Sequence, residues 1–199
     1  EGSQDLAVAV RGADLVFVAT PVSSMGAVLK ALRPGLAERA IVTDGGSVKG
    51  AVIAEARRAL GDHFPRFVPG HPIAGKEKSG VEAADAGLYR QHRVILTPTP
   101  DTDPGATARV NALWAAVGAE VLEMAPDHHD QQQQGGGSHR DATGLFESSC
   151  DAPLSKYFPT PRKIVYSFIA VYTLNRLPRY KLAASGASQV QVHVLKYGT

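Results

Sequence analysis

Residues 13–20, "ADLVFVAT", form a short, largely apolar run, rich in β-branched and aromatic side chains, that stops at Pro21. So short a run is not a helix of its own, and apolar side chains on both faces need cover from above and below. The pattern predicts a buried strand of a parallel sheet. The period then changes: Met25, Val28, Leu29 and Leu32 fall at helical spacing, and Pro34 and Gly35 close that helix. The alternation repeats along the chain. Residues 40–47 read as a strand and turn, and 48–61 as a helix with Val52, Ala56 and Leu60 on one face, stopped by Gly61. "FVPGHP" (67–72), "RVILTP" (93–98) and "EVLEM" (120–124) read as further strands, and 106–119 as a helix ending at Gly118. Strands alternating with helices of this length predict an α/β fold with a mostly parallel sheet.

The pattern fails at "QQQQGGG", residues 131–137. Acidic side chains outnumber basic ones up to residue 130, and the balance reverses beyond it. These two changes divide the chain into a 1–130 domain and a 131–199 low-complexity linker and unassigned tail. The tail carries Lys156, Tyr157, Arg162, Lys163, Tyr166, Arg176, Arg179, Tyr180 and Lys181, but no recognised nucleic-acid module, so no nucleic-acid partner is expected. A single cysteine, Cys150, excludes a disulfide framework within one chain and fits a reducing compartment. No run of eighteen apolar residues appears, and Glu1 opens no signal-peptide pattern, so no membrane contact and a cytoplasmic location are expected. An opening residue other than Met fits a processed product or a fragment.

Parallel sheets take their ligands beyond the carboxyl ends of their strands. Four stretches qualify: Thr20-Pro21, Asp44 to Lys49, Gly70 to Gly80, and Thr97-Pro98. "TDGGSVKG" (43–50) sets Asp44, Ser47 and Lys49 around a glycine turn that opens a helix. It reads equally as a ligand-binding edge with free amides and as Ser47 capping a helix after two glycines. His71 is open in the same way. A histidine at a strand end can be structural or solvated. Here Pro72 fixes the backbone after it, and Glu77 could return to orient the ring. His128 and His129 form a second candidate; adjacent side chains on a helix diverge, so at most one faces a given site. No metal-ligand spacing is present, and Trp114 reads as core.

Taken in order, "ADLVFVATPV", "VTDGGSVKG", "FVPGHPIAGKEKSGVEAADAGLY", "VILTP" and "MAPDHHD" resemble the bacterial prephenate dehydrogenases and their arogenate-using relatives over residues 1–130. The resemblance implies a partial Rossmann-like nucleotide-binding domain. It implies NAD-dependent oxidative decarboxylation of prephenate to 4-hydroxyphenylpyruvate in tyrosine biosynthesis, with arogenate as the alternative substrate and NADP as the alternative cofactor. His71 then takes the role of the histidine that binds the substrate's ring hydroxyl and helps deprotonate it. Ser47 matches the serine between that histidine and the nicotinamide, Glu77 a gating or orienting acid, and His129 a histidine lining the substrate site. Thr20 and Pro21 match the strand end bordering the cofactor. A homodimer is expected of the intact family enzyme.

The sequence departs from that family in two places. It contains no strand–G-x-G-x-x-G–helix unit, so the pyrophosphate lacks its glycine turn and the strand expected beside residues 15–20 is missing. That predicts an exposed edge, and a non-catalytic fragment associating through it is the alternative function. From Gln131 onward nothing matches the family's helical dimerisation domain, and no carboxylate-binding arginine is carried over. The abrupt change favours a frameshifted or chimeric tail over a divergent one. Both departures predict impaired turnover for the isolated chain.

Overall fold

The computed structural model describes residues 3, 5–74 and 87–134, together with the backbone of strands at 146–147, 163–168 and 191–194. The apolar run forms strand β1 (Leu15–Ala19). Val16 and Val18 enter one core and Leu15 and Phe17 another, so the strand is buried on both faces. Helices α2 (Val22–Leu32) and α3 (Lys49–Leu60) cover the first face. Met25, Val28, Leu29 and Leu32 of α2 meet Val52, Ala56 and Leu60 of α3 there, joined by Leu6 and Ala9 of the short helix α1 (Leu6–Ala9). Each of the larger side chains contributes about 1.5–3 kcal/mol by leaving water. Helix α3 ends where the sequence places its stop: Gly61 has φ +54°, and its amide donates to the Arg57 carbonyl.

Helix α4 (Pro104–Ala116) covers the other face with Ala106, Val110, Leu113 and Trp114. Asp103 caps it, accepting the Ala106 amide at 2.8 Å. Trp114 is core as expected, in edge-on contact with Phe17 and Tyr89 at centroid distances of 5.6 and 4.9 Å.

Strand β2 (Ile41–Asp44) runs parallel to β1, and β3 (Phe67–Val68) parallel to β2. The single strand expected at 67–72 is two. Pro69 has no N–H with which to continue the ladder, and its carbonyl accepts the Thr97 amide at 2.9 Å. The chain therefore leaves the first sheet, and β4 (Gly70–Ile73) joins a second one, antiparallel to β5 (Arg93–Leu96). Pro72 is tolerated because β4 lies at the edge of that sheet, whose order is β4-β5-β6-β7. There β6 (Glu120–Glu123) runs parallel to β5, and β7 (Phe146–Glu147) antiparallel to β6. Helix α5 (Pro126–Gln134) follows β6 and runs across the expected boundary at residue 131.

The exposed edge expected at residues 15–20 is covered, which removes the case for pairing with another chain there. Strand β8 (Lys163–Phe168) runs parallel to β1, from Leu15 against Ile164 to Ala19 against Phe168. Strand β9 (Gln191–Val194) lies parallel beyond it, giving the order β3-β2-β1-β8-β9. Backbone amides and carbonyls at a buried edge must be paired, and a later segment of the same chain does so. From β1 the sheet grows outward through β2 and β3, and from β8 outward through β9. The β1–β8 seam is thus a topological switch point, whose carboxyl-end crevice is where such sheets take ligands. No helix among the described residues is long and apolar enough to cross a membrane.

Candidate active site

Strand β2 delivers Asp44 to a point where three segments meet. One carboxylate oxygen, Oδ2, accepts the Gly46 amide at 2.8 Å and the Lys49 Nζ at 2.6 Å. The other, Oδ1, accepts the Gly70 amide at 3.0 Å, and Lys49 Nζ also donates to the Gly70 carbonyl at 2.7 Å. Both side chains are fully buried. Burial pushes the Lys49 ammonium below its ordinary range, opposed by the charge and hydrogen bond of Asp44 and by the charge of Asp130. The pair binds both backbone polar groups of Gly70, and so fixes where β4 begins, one residue before His71. A side chain at Gly70 would be crowded: its Cβ would lie 3.0 Å from the Asp44 carbonyl oxygen, closer than ordinary van der Waals contact.

Ser47 does not cap α3. It is exposed, and the cap residue, Val48, makes no side-chain hydrogen bond. The cap comes from 80 residues away in sequence. Asp130, on α5, accepts the Lys49 amide on Oδ1 at 3.0 Å and the Gly50 amide on Oδ2 at 2.8 Å. A carboxylate there also meets the positive end of the α3 dipole.

The same carboxylate starts a chain of rings. Asp130 Oδ1 lies 2.8 Å from His129 Nδ1, and His129 Nε2 lies 2.9 Å from His71 Nδ1. The two rings meet edge-on at 74°, with centroids 5.1 Å apart. His129 is 1% exposed, whereas His71 is half-buried. Partial burial works against ionisation of Asp130, but hydrogen bonds from His129, Gly50 and Lys49 outweigh it and hold the carboxyl below its usual range. An ionised carboxylate only accepts, so His129 Nδ1 carries hydrogen and its Nε2 the lone pair. His71 Nδ1 then donates, and its Nε2 holds the lone pair that a base requires. As expected of neighbours on a helix, His128 turns elsewhere, meeting the Gln132 amide at 3.2 Å.

Thr20 and Pro21 lie at the carboxyl end of β1, on the switch-point seam. Thr20 is buried, its hydroxyl facing the Met25 sulfur at 3.9 Å, while Pro21 is exposed and begins α2 without a side-chain cap bond. Thr97, directly after β5, is buried and donates its amide to the Pro69 carbonyl. Glu77, Arg176 and Arg179 lie outside the described residues. The structure thus brings His71 and His129 into direct contact, and sets behind His129 a residue the sequence reading passed over, Asp130. Asp130 had one signal: it directly follows His129.

The sequence profile described as "Prephenate dehydrogenase, nucleotide-binding domain" matches residues 1–123. Cyclohexadienyl dehydrogenase of Zymomonas mobilis is 41% identical over 128 residues, which is 64% of this chain and 43% of that protein. Prephenate dehydrogenase of Aquifex aeolicus, solved in complex with hydroxyphenyl propionate and NAD+, is 44% identical with a TM-score of 0.60, covering 65% of this chain and 45% of that one. Arogenate dehydrogenase of Synechocystis is 33% identical with a TM-score of 0.59, over 65% and 45% of the two chains. The chain spans less than half the length of each of these relatives.

Proposed function

The chain belongs to the prephenate dehydrogenase family through its nucleotide-binding domain, and on that premise we propose that it serves the NAD-dependent oxidative decarboxylation of prephenate to 4-hydroxyphenylpyruvate. The observation that carries the reading is the 2.9 Å bond from His71 Nδ1 to a buried His129 that is itself held by Asp130. That arrangement makes His71 Nδ1 the donor, so Nε2 is the ring nitrogen able to accept from the ring hydroxyl of the substrate.

His71 takes the hydroxyl proton as the hydroxyl-bearing carbon loses hydride and becomes a carbonyl. The ring carboxylate leaves as carbon dioxide, and its bonding electrons make the ring aromatic. His71 returns its proton to the phenolate oxygen that results, so no net proton is gained or lost. Aromatisation drives the reaction, and the protein's task is alignment and the handling of one proton.

NAD, when bound, supplies the hydride acceptor. The residues present fit its nicotinamide end: Thr20 and Pro21 edge the switch-point crevice, and Ser47 is exposed on the neighbouring strand's turn. The first amides of the eleven-residue helix α2 carry no side-chain cap and suit an anionic group. Residues 1–130 bear the chemistry in this proposal, while 131–199 contribute strand pairing. A cytoplasmic location, a small-molecule substrate and, for an intact family enzyme, a homodimer complete it.

Arogenate is the second reading, supported by the resemblance to the Synechocystis arogenate dehydrogenase and the Zymomonas cyclohexadienyl dehydrogenase. The test is NADH formation by the purified chain with NAD and each substrate in turn. Slow, prephenate-dependent NADH formation is the expected result. Turnover of arogenate alone would replace the first reading with the second, and NADH from neither substrate would overturn both.

A further inference from the structure

We infer that Asp130 is a positioning residue for the proton acceptor, fixing the hydrogen-bond direction of His71 through His129; this rests on the reading of His71 as that acceptor. Three observations converge on it. Both Asp130 oxygens are engaged: Oδ1 by the Lys49 amide at 3.0 Å and the His129 ring at 2.8 Å, and Oδ2 by the Gly50 amide at 2.8 Å. Two amides of one rigid helix leave the carboxylate a single orientation, and that orientation meets His129 Nδ1. The amides also favour the ionised form, which cannot donate. Finally, His129 is 1% exposed, so a second proton on its ring would carry a large desolvation cost.

The direction of the His129–His71 bond follows. Reversing it requires a proton on Asp130 or a cationic His129; the two α3 amides oppose the first, and the burial of His129 opposes the second against the pull of the Asp130 anion. The unit therefore spans α3, α5 and β4, with the α3 backbone as its anchor. When His71 takes a proton, the cation forms at one end of a chain whose other end is a fixed anion.

Replacing Asp130 by Asn substitutes a donor for an acceptor. An amide NH2 placed toward His129 would favour hydrogen on Nε2 of both rings and turn the lone pair of His71 away from the substrate. The experiment is imidazole 15N–1H correlation spectroscopy on the histidine-labelled 199-residue chain, which reads tautomers without any turnover, followed by kinetics with prephenate and NAD. In the wild type, His71 and His129 should both carry hydrogen on Nδ1. Asp130→Asn should move both rings toward the Nε2–H form and lower kcat by about 10²-fold, with KM for NAD little changed. Asp130→Glu, which keeps the anion, should retain more of the wild-type tautomer. An Nε2–H tautomer of His71 in the wild type overturns the inference whether or not the variant folds, and so does an unaltered His71 tautomer in Asp130→Asn. An inverted tautomer with undiminished turnover refutes His71 as proton acceptor, and the inference with it.

Discussion

Asp44 and Lys49 show how a short sequence motif conceals its own geometry. Read locally, "TDGGSVKG" offers Ser47 as a cap and sets Asp44 and Lys49 around a glycine turn. In the fold Lys49 is fully buried against Asp44, and the cap is a carboxylate 80 residues distant. Capping preference is local, whereas the partner that satisfies the α3 amides is chosen by which helix packs across them, so Asp130 could not be read from this stretch alone. His71 was legible as a candidate from its neighbours, and its bond to His129 was not. Asp44→Asn leaves the buried Lys49 ammonium without its counter-charge and should cost about 3–5 kcal/mol. Urea denaturation measures it, and a loss below about 1 kcal/mol would contradict the clamp. Asp130 supplies a pH signature. Its folded-state carboxyl lies below the unfolded value of about 3.9, so its stabilisation is complete above that value and is lost as pH falls through the folded one. Asp130→Asn should therefore show a shallower decline in stability than the wild type below about pH 4. Parallel declines would remove this role.

Among the elements, those with a strong internal period were the readable ones. α2 and α3 begin within a residue or two of the positions expected from their apolar spacing, and Gly61 ends α3 as predicted. The stretch from Phe67 to Pro72 misled, because alternation cannot report that a proline has sent a strand to a second sheet. Strand β8 was missed for a different reason. "KIVYSF" lies beyond a low-complexity break, and its pairing with β1 joins residues almost 150 positions apart. No local pattern encodes such a contact. With β1 on one side and β9 on the other, β8 is an interior strand of its sheet. Val165→Pro removes a ladder donor there and should destabilise the chain by about 2–4 kcal/mol. Guanidinium denaturation with an unchanged midpoint would show that β8 contributes little to the sheet.

For the whole molecule, the two departures from the family pattern have different consequences. Beside residues 15–20, where the family pattern places another strand, β8 pairs with β1, and the strand order reverses at that seam. The glycine turn for a pyrophosphate has no such replacement among the described residues. On the proposed reading His71 is the group that handles the proton, and it lies in the part of the chain that the family profile matches. Replacing His71 with Asn, which keeps a polar side chain but removes the base, tests that claim most directly. At saturating prephenate and NAD, His71→Asn should form NADH roughly 10²–10⁴-fold more slowly than the unaltered chain, with NAD affinity little changed. Equal rates for the two proteins would contradict the account.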